Sequence, residues 1–179
     1  MRKAFKYAGV AGVLCVFFSL YEIILSILGP IFQIGIDSPF INVSILFLAL
    51  ITYVIFMYGF KLIGDRYKNS LLKITSYILI ILQIVLLGSF LFMIYSTGSM
   101  NMFVLVLIVI LMGATTISFG IALLRFKSQV NSLAVSIGII EIITGACLIS
   151  VVLGVFSILL SIVFYILGSI MFFREAKKI

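Results

Sequence analysis

Long apolar runs separated by short polar connectors dominate the chain. The runs at about residues 8–29, 39–63, 70–95 and 101–124 are each long enough to cross roughly 30 Å of hydrocarbon as a helix, which takes about 20 residues. The connectors carry turn chemistry. Ser38 followed by Pro39 suits an N-cap and a first helical position, and Gly64 suits a helix end. The pattern predicts four membrane-spanning helices in this part of the chain.

The remaining apolar tract, residues 133–173, is about twice as long as one span requires. We therefore expect a hairpin of two spans, 131–151 and 154–173, with its turn near Gly154. Basic residues flank the tract on both sides, which favours an even number of crossings between them. The whole pattern predicts an all-α, polytopic six-helix bundle in which residues 1–179 form a single transmembrane domain.

Composition supports a membrane location. Hydrophobic residues make up 65% of the chain and charged residues 9%, whereas an ordinary soluble domain is about half apolar and about a quarter charged. The mean hydropathy is +1.45. We expect a multi-pass protein of the cell membrane whose first partner is the lipid bilayer. The basic start resembles a signal peptide, but its apolar run continues to about residue 28 without a small-residue cleavage site, so we expect a retained first span.

The excess of basic residues behind the net charge of +7 is explained by the predicted membrane topology. If the N-terminus is cytoplasmic and six spans follow, all 12 Lys and Arg residues fall on the cytoplasmic side, as the positive-inside rule requires. Both termini are then predicted to be cytoplasmic. This distribution argues against nucleic acid as a partner.

Two carboxylates lie inside predicted spans, Glu22 and Glu141. Each shares a helix face with small residues at spacings of three and four, and small residues allow membrane helices to approach closely. Each glutamate should therefore face protein, and Gln83 near the middle of the third span is a candidate partner. Asp37 is a candidate contact residue in an outer loop.

These intramembrane residues have two interpretations. In the first, Glu22 and Glu141 are uncharged hydrogen-bonding groups, and the chain is a non-catalytic structural or accessory subunit of a larger membrane complex or a homo-oligomer. In the second, the chain is a small transporter or a substrate-binding transport subunit whose carboxylates bind a proton or cation. We expect the first, and the residue spacing leaves the second open.

Enzymatic chemistry is not expected. The chain contains no His, the commonest general base and a common metal ligand. Cys15 and Cys147 both lie in apolar runs without a basic partner to activate a thiol. We predict no catalytic residues, no metal and no cofactor.

Two segments resemble a known family. FMYGFKLIGDRYKNSLLKITSYILII at residues 56–81 and the C-terminal VSIGIIEIITGACLISVVLGVFSILLSIVFYILGSIMFF resemble the small prokaryotic, chiefly archaeal, membrane family named domain of unknown function 996. The resemblance implies a compact six-span protein. That family carries no assigned activity, so no site can be transferred. The longer outer loop with Asp37, and Glu22, depart from its pattern.

A second resemblance is one of architecture only. Six spans in about 180 residues with both termini inside also suit the substrate-binding subunit of energy-coupling-factor vitamin transporters. Such a subunit requires a pocket of converging polar groups.

Overall fold

The computed structural model of the chain describes residues 1–32, 39–95, 102–125, 132–150 and 153–178. Nearly all of these residues belong to six helices: α1 (Arg2–Phe32), α2 (Pro39–Arg66), α3 (Ser70–Tyr95), α4 (Met102–Leu124), α5 (Ser132–Ile149) and α6 (Gly154–Lys177). Each contains a stretch long and apolar enough to cross a membrane. The predicted all-α six-helix fold is confirmed.

The helices are longer than the apolar runs at the basic end of the molecule. Helix α1 begins at Arg2 and α6 continues to Lys177, whereas the corresponding runs begin at about residue 8 and end at about residue 173. Apolar runs mark the part of a helix that lies in hydrocarbon. Backbone hydrogen bonding continues beyond it, where Lys and Arg stems cover apolar surface while their charges reach water.

The long C-terminal apolar tract forms two helices, α5 and α6, that pack against each other, and Ser150 lies directly after α5. Its amide donates to the Ala146 carbonyl at 3.1 Å, and its hydroxyl donates to the Cys147 carbonyl at 2.8 Å. The same hydroxyl accepts from the Leu153 amide at 3.2 Å, just before α6 begins. Helix α5 ends at Ile149 and α6 begins at Gly154, while residues 151 and 152 of the predicted turn lie outside the described residues.

Six helices pack as a closed circle. Each contacts its neighbours along the chain, and α1 packs against α6 to close the circle. Neighbours run antiparallel. For example, a Cβ at Gly9 would meet the Phe173 ring, whereas one at Gly12 would meet the Ser169 hydroxyl.

The closest helix pair, α4 and α5, meets through glycines that are seven residues apart in each helix. A Cβ added at Gly145 would lie 2.5 Å from the Gly113 carbonyl oxygen, and one at Gly138 would lie 2.8 Å from the Gly120 carbonyl oxygen. Such separations exclude any side chain and allow the two backbones to touch. The small residues of the fourth and fifth spans are therefore used inside the bundle.

Five phenylalanines fill the bundle between its centre and the end that carries the charges. We call them the aromatic plug: Phe56, Phe60, Phe119, Phe164 and Phe172. All five are buried, and their ring centroids are 4.8 to 6.0 Å apart in mostly edge-to-face pairs. This is the preferred geometry of aromatic pairs.

Beyond the plug, one ion pair and one hydrogen bond join the end of α2 to the end of α6. Glu175 is only 1% exposed and accepts from Arg66 Nη1 at 3.3 Å, from the Tyr67 hydroxyl at 3.0 Å and from Lys178. We call these four residues the Glu175 cluster. Burial, followed by the hydrogen bond to Glu175, raises the pKa of the Tyr67 phenol above its usual value, so Tyr67 remains a donor at neutral pH.

The basic residues share one end of the bundle. Every Lys and Arg of the described ranges lies within about two turns of a helix terminus at this charged end; Lys127 lies outside those ranges. The cytoplasmic location of both termini stays a prediction.

Candidate functional site

Glu141 lies near the middle of α5 and points into the bundle. Glu141 is 4% exposed. Its side chain lies on the face of α5 that also carries the buried Ala134, Gly138, Thr144 and Gly145. The glycine contact with α4 turns this face inward. Within the described part of the chain, neither an ion pair nor a hydrogen bond reaches its carboxyl group.

The Glu141 side chain borders a cavity of about 140 Å³, which we call the central cavity. Five helices, α2 to α6, contribute to its wall. Eight lining residues have polar groups and five are apolar: Tyr53, Gln83, Thr116, Glu141, Thr144, Ser157, Ser161 and Tyr165, with Met57, Leu79, Met112, Leu148 and Phe164. A cavity lined by so many polar groups can hold water or a polar ligand.

A second cavity of about 100 Å³ lies on the α1 side of the bundle. Its wall comes from α1, α2, α3 and α6 and includes Cys15 and Ser19. Tyr53, Gln83 and Tyr165 border both cavities. These three residues form the partition between them.

Both cavities lie on the side of the aromatic plug away from the charged end. The charged end of α2 is its C-terminal end, near Arg66. From there toward the start of α2 come the plug residues Phe60 and Phe56. Next come Tyr53, which lines the central cavity, and Leu46, which lines the second cavity. Along α4 the same direction leads from Phe119 to Thr116. The plug and the Glu175 cluster thus separate the cavities from the charged end.

The sequence-predicted residues fall into two groups. Gln83 and Glu141 line the same cavity. Helix α1 includes position 22, but the Glu22 side chain lies outside the described residues, as does Asp37. The Tyr21 hydroxyl, another group suited to bond a buried glutamate, is buried without a hydrogen-bond partner among the described residues.

Sequence reasoning did not single out the hydroxyl groups of the cavity. Thr116 belongs to the GATTISFG segment, and Ser157 and Ser161 belong to a small-residue stripe in α6. Small residues in such patterns favour helix contact. The additional signal was their type. Gly, Ala, Ser and Thr all allow close helix packing, but only Ser and Thr also add polar atoms at membrane depth.

The two cysteines are both free. Cys15 borders the second cavity, and in the described residues no group of three or more His, Cys, Asp or Glu side chains could hold a metal ion. Among the residues that line the central cavity, Glu141 supplies the one carboxyl group, and the other polar groups are uncharged.

Comparisons with protein-family models, with curated proteins and with solved structures find no match to this chain. Its resemblance to domain of unknown function 996 stays a prediction.

Proposed function

We propose that this integral membrane protein is a small transporter or transport subunit that binds a proton or a small cation at Glu141. The observation that carries the proposal is the buried carboxyl group of Glu141 in a polar cavity at the middle of the bundle, without a Lys or Arg partner among the described residues. A purely structural glutamate needs a fixed hydrogen-bond partner, whereas a binding carboxylate must be available to its ligand.

The energetics favour the exchange of a proton for a cation at Glu141. An unpaired charged side chain at the centre of a bilayer costs about 2.5–3.5 kcal/mol or more. Glu141 can avoid this cost in two ways, either as the uncharged acid or as a carboxylate with a bound cation. A cation that enters should therefore displace the proton.

The shape supports access from one end. The aromatic plug and the Glu175 cluster close the bundle toward the charged end, whereas the cavities lie on the other side of the plug. If the charged end is cytoplasmic, the ligand enters from outside. Transport would then require the plug to open, as alternating access demands.

The expectation of an accessory subunit has less support. The glycines of α4 and α5 are used within the bundle. The lipid-facing hydroxyls of Thr115, Ser118 and Ser136 donate to carbonyls of their own helices, so none requires a partner chain. Recovery of stoichiometric protein partners in a mild-detergent pull-down from native membranes would restore that interpretation.

Vitamin capture, the function of the architecturally similar subunits, is not part of the proposal. Pockets for drug-sized ligands occupy about 300–1,000 Å³, whereas the central cavity has about 140 Å³. A much smaller solute fits.

A flux measurement tests the proposal. The purified chain is reconstituted in liposomes that contain a pH-sensitive dye, and inward gradients of Na⁺, K⁺ or guanidinium are imposed with the membrane potential clamped. We expect at least one cation to drive proton efflux in the wild type, and Glu141→Gln to abolish it. Thr115→Val, a change on the lipid-facing side of α4, should leave it intact. Fluxes equal to those of empty liposomes, or unchanged in Glu141→Gln, would refute transport through Glu141.

A further inference from the structure

Three hydroxyl groups of the central cavity have their hydrogens already engaged. Thr144 donates to the Ile140 carbonyl at 2.8 Å, Ser161 donates to the Ser157 carbonyl at 2.8 Å, and Ser157 donates to the Gly154 carbonyl. Because a carbonyl oxygen only accepts, each hydroxyl must donate its single hydrogen to that backbone carbonyl. Toward the cavity these oxygens can only accept.

The remaining polar groups do not offset this acceptor character. Gln83, Thr116 and Tyr53 carry groups that can either donate or accept, so they adapt to a ligand. Glu141, when ionised, only accepts. The cavity therefore suits a ligand rich in N–H donors, and its one carboxylate matches a single positive charge.

Aromatic groups border the same space. The ring centroids of Phe164 and Tyr165 are 5.5 Å apart. The Tyr165 ring also packs edge-to-face with Phe56 of the plug, with a centroid distance of 5.2 Å. With Tyr53, they place three aromatic side chains on the cavity wall. Aromatic faces attract organic cations within about 6 Å, with a larger gain where water is excluded.

The size of the cavity limits the ligand. An apolar protein cavity of about 150 Å³ holds a molecule as large as benzene, and the central cavity has about 140 Å³. A ligand of up to about six non-hydrogen atoms fits. A bare metal ion would leave most of this volume to water.

We propose that the central cavity binds a small organic monocation with N–H donors, such as a primary alkylammonium or a guanidinium ion. Its charge would pair with Glu141, its N–H groups would donate to the hydroxyl oxygens of α5 and α6, and its hydrocarbon part would contact the aromatic side chains. This inference rests on the proposed function, because it names the ligand of the same site.

Equilibrium binding to the purified full chain tests the ligand class apart from transport. Calorimetry would compare n-butylammonium and guanidinium with tetramethylammonium, Na⁺ and 1-butanol. We expect the two N–H cations to bind at least about tenfold more tightly than the other three, because charge-assisted hydrogen bonds contribute about 1.5–3 kcal/mol. Tetramethylammonium has the charge without donors, and 1-butanol has a similar shape without the charge.

A matched pair of variants tests the acceptor role of the cavity hydroxyls. Thr144→Val and Thr115→Val each remove a hydroxyl that donates to its own helix at 2.8 Å, but only Thr144 lines the cavity. Thr144→Val should weaken n-butylammonium binding about three- to tenfold, and Thr115→Val should not change it. Glu141→Gln should abolish binding, and the Thr pair still decides the question if that variant does not fold.

Two outcomes would overturn the inference and separate it from the proposed function. If Na⁺ or tetramethylammonium bound as tightly as the N–H cations while flux still depended on Glu141, the ligand class would be wrong and the transport function would stand. If no cation bound and none drove flux, both would fail.

Discussion

At the scale of single residues, the two buried glutamates among the described side chains have opposite surroundings. Glu175 accepts from three donors at the charged end, whereas Glu141 faces a cavity without a fixed basic partner. The same side chain is thus a structural contact in one place and an available binding group in the other. Their neighbours, not the residue type, separate the roles.

The structural role of Glu175 predicts a loss of stability on substitution. Glu175→Gln should lower the free energy of unfolding by about 1–3 kcal/mol, because charge-assisted hydrogen bonds from Arg66, Tyr67 and Lys178 are lost in a buried position. Thermal denaturation in detergent would measure it. Asp65→Asn is the matched control, since Asp65 also pairs with two cations but is exposed. If the control were as destabilised as Glu175→Gln, burial would not explain the effect.

Sequence spacing located Glu141 correctly on an inner helix face because three- and four-residue periodicity is a local property. It could not reveal whether a partner would reach the carboxyl group. That depends on the positions of α2, α3 and α6, which are remote in sequence. The distinction between a hydrogen-bonding group and a binding site therefore needed the structure.

At the scale of helices, glycine contacts set the distance between α4 and α5 and so the position of Glu141. A side chain at either member of a pair would push the backbones apart. The sequence predicted close approach from the small-residue pattern, and the structure added the pairing of Gly113 with Gly145 and Gly120 with Gly138.

This contact makes a prediction with an internal control. Gly145→Ala should destabilise the protein by about 1–3 kcal/mol, because overpacking forces backbone shifts. Gly88→Ala should be neutral or slightly stabilising, since a Cβ there meets nothing within 4 Å and Ala favours helix. Thermal denaturation of both variants in the same detergent would compare them. Equal stability would show that α4 and α5 do not depend on backbone contact.

At the scale of the whole molecule, charge and packing give the bundle two unlike ends. The charged end is closed by the aromatic plug and the Glu175 cluster, whereas the polar cavities lie toward the other end. Hydropathy and the positions of Lys and Arg predicted six spans and one basic side. The plug and the cavities come from contacts between helices distant in sequence, which no local pattern encodes.

The orientation of the bundle is testable by thiol labelling in cells. After replacement of Cys15 and Cys147 by Ala, Leu153→Cys should react with a membrane-impermeant maleimide from outside, because Leu153 is exposed at the start of α6. Lys178→Cys, exposed at the charged end, should react only after the cells are opened. The reverse labelling pattern would show that the bundle has the opposite orientation in the membrane. Labelling of both introduced cysteines from the same side would contradict six crossings.

The central claim is that a cation exchanges with a proton at Glu141, and proton release on ligand binding tests it most directly. Purified protein in weakly buffered detergent would be titrated with guanidinium, which does not itself release protons near neutral pH, while a dye reports the change in pH. The account predicts release of about one proton for each ion bound by the wild type, because a buried charge must be neutralised, and no release by Glu141→Gln. Binding without proton release, or release that persists in Glu141→Gln, would contradict it.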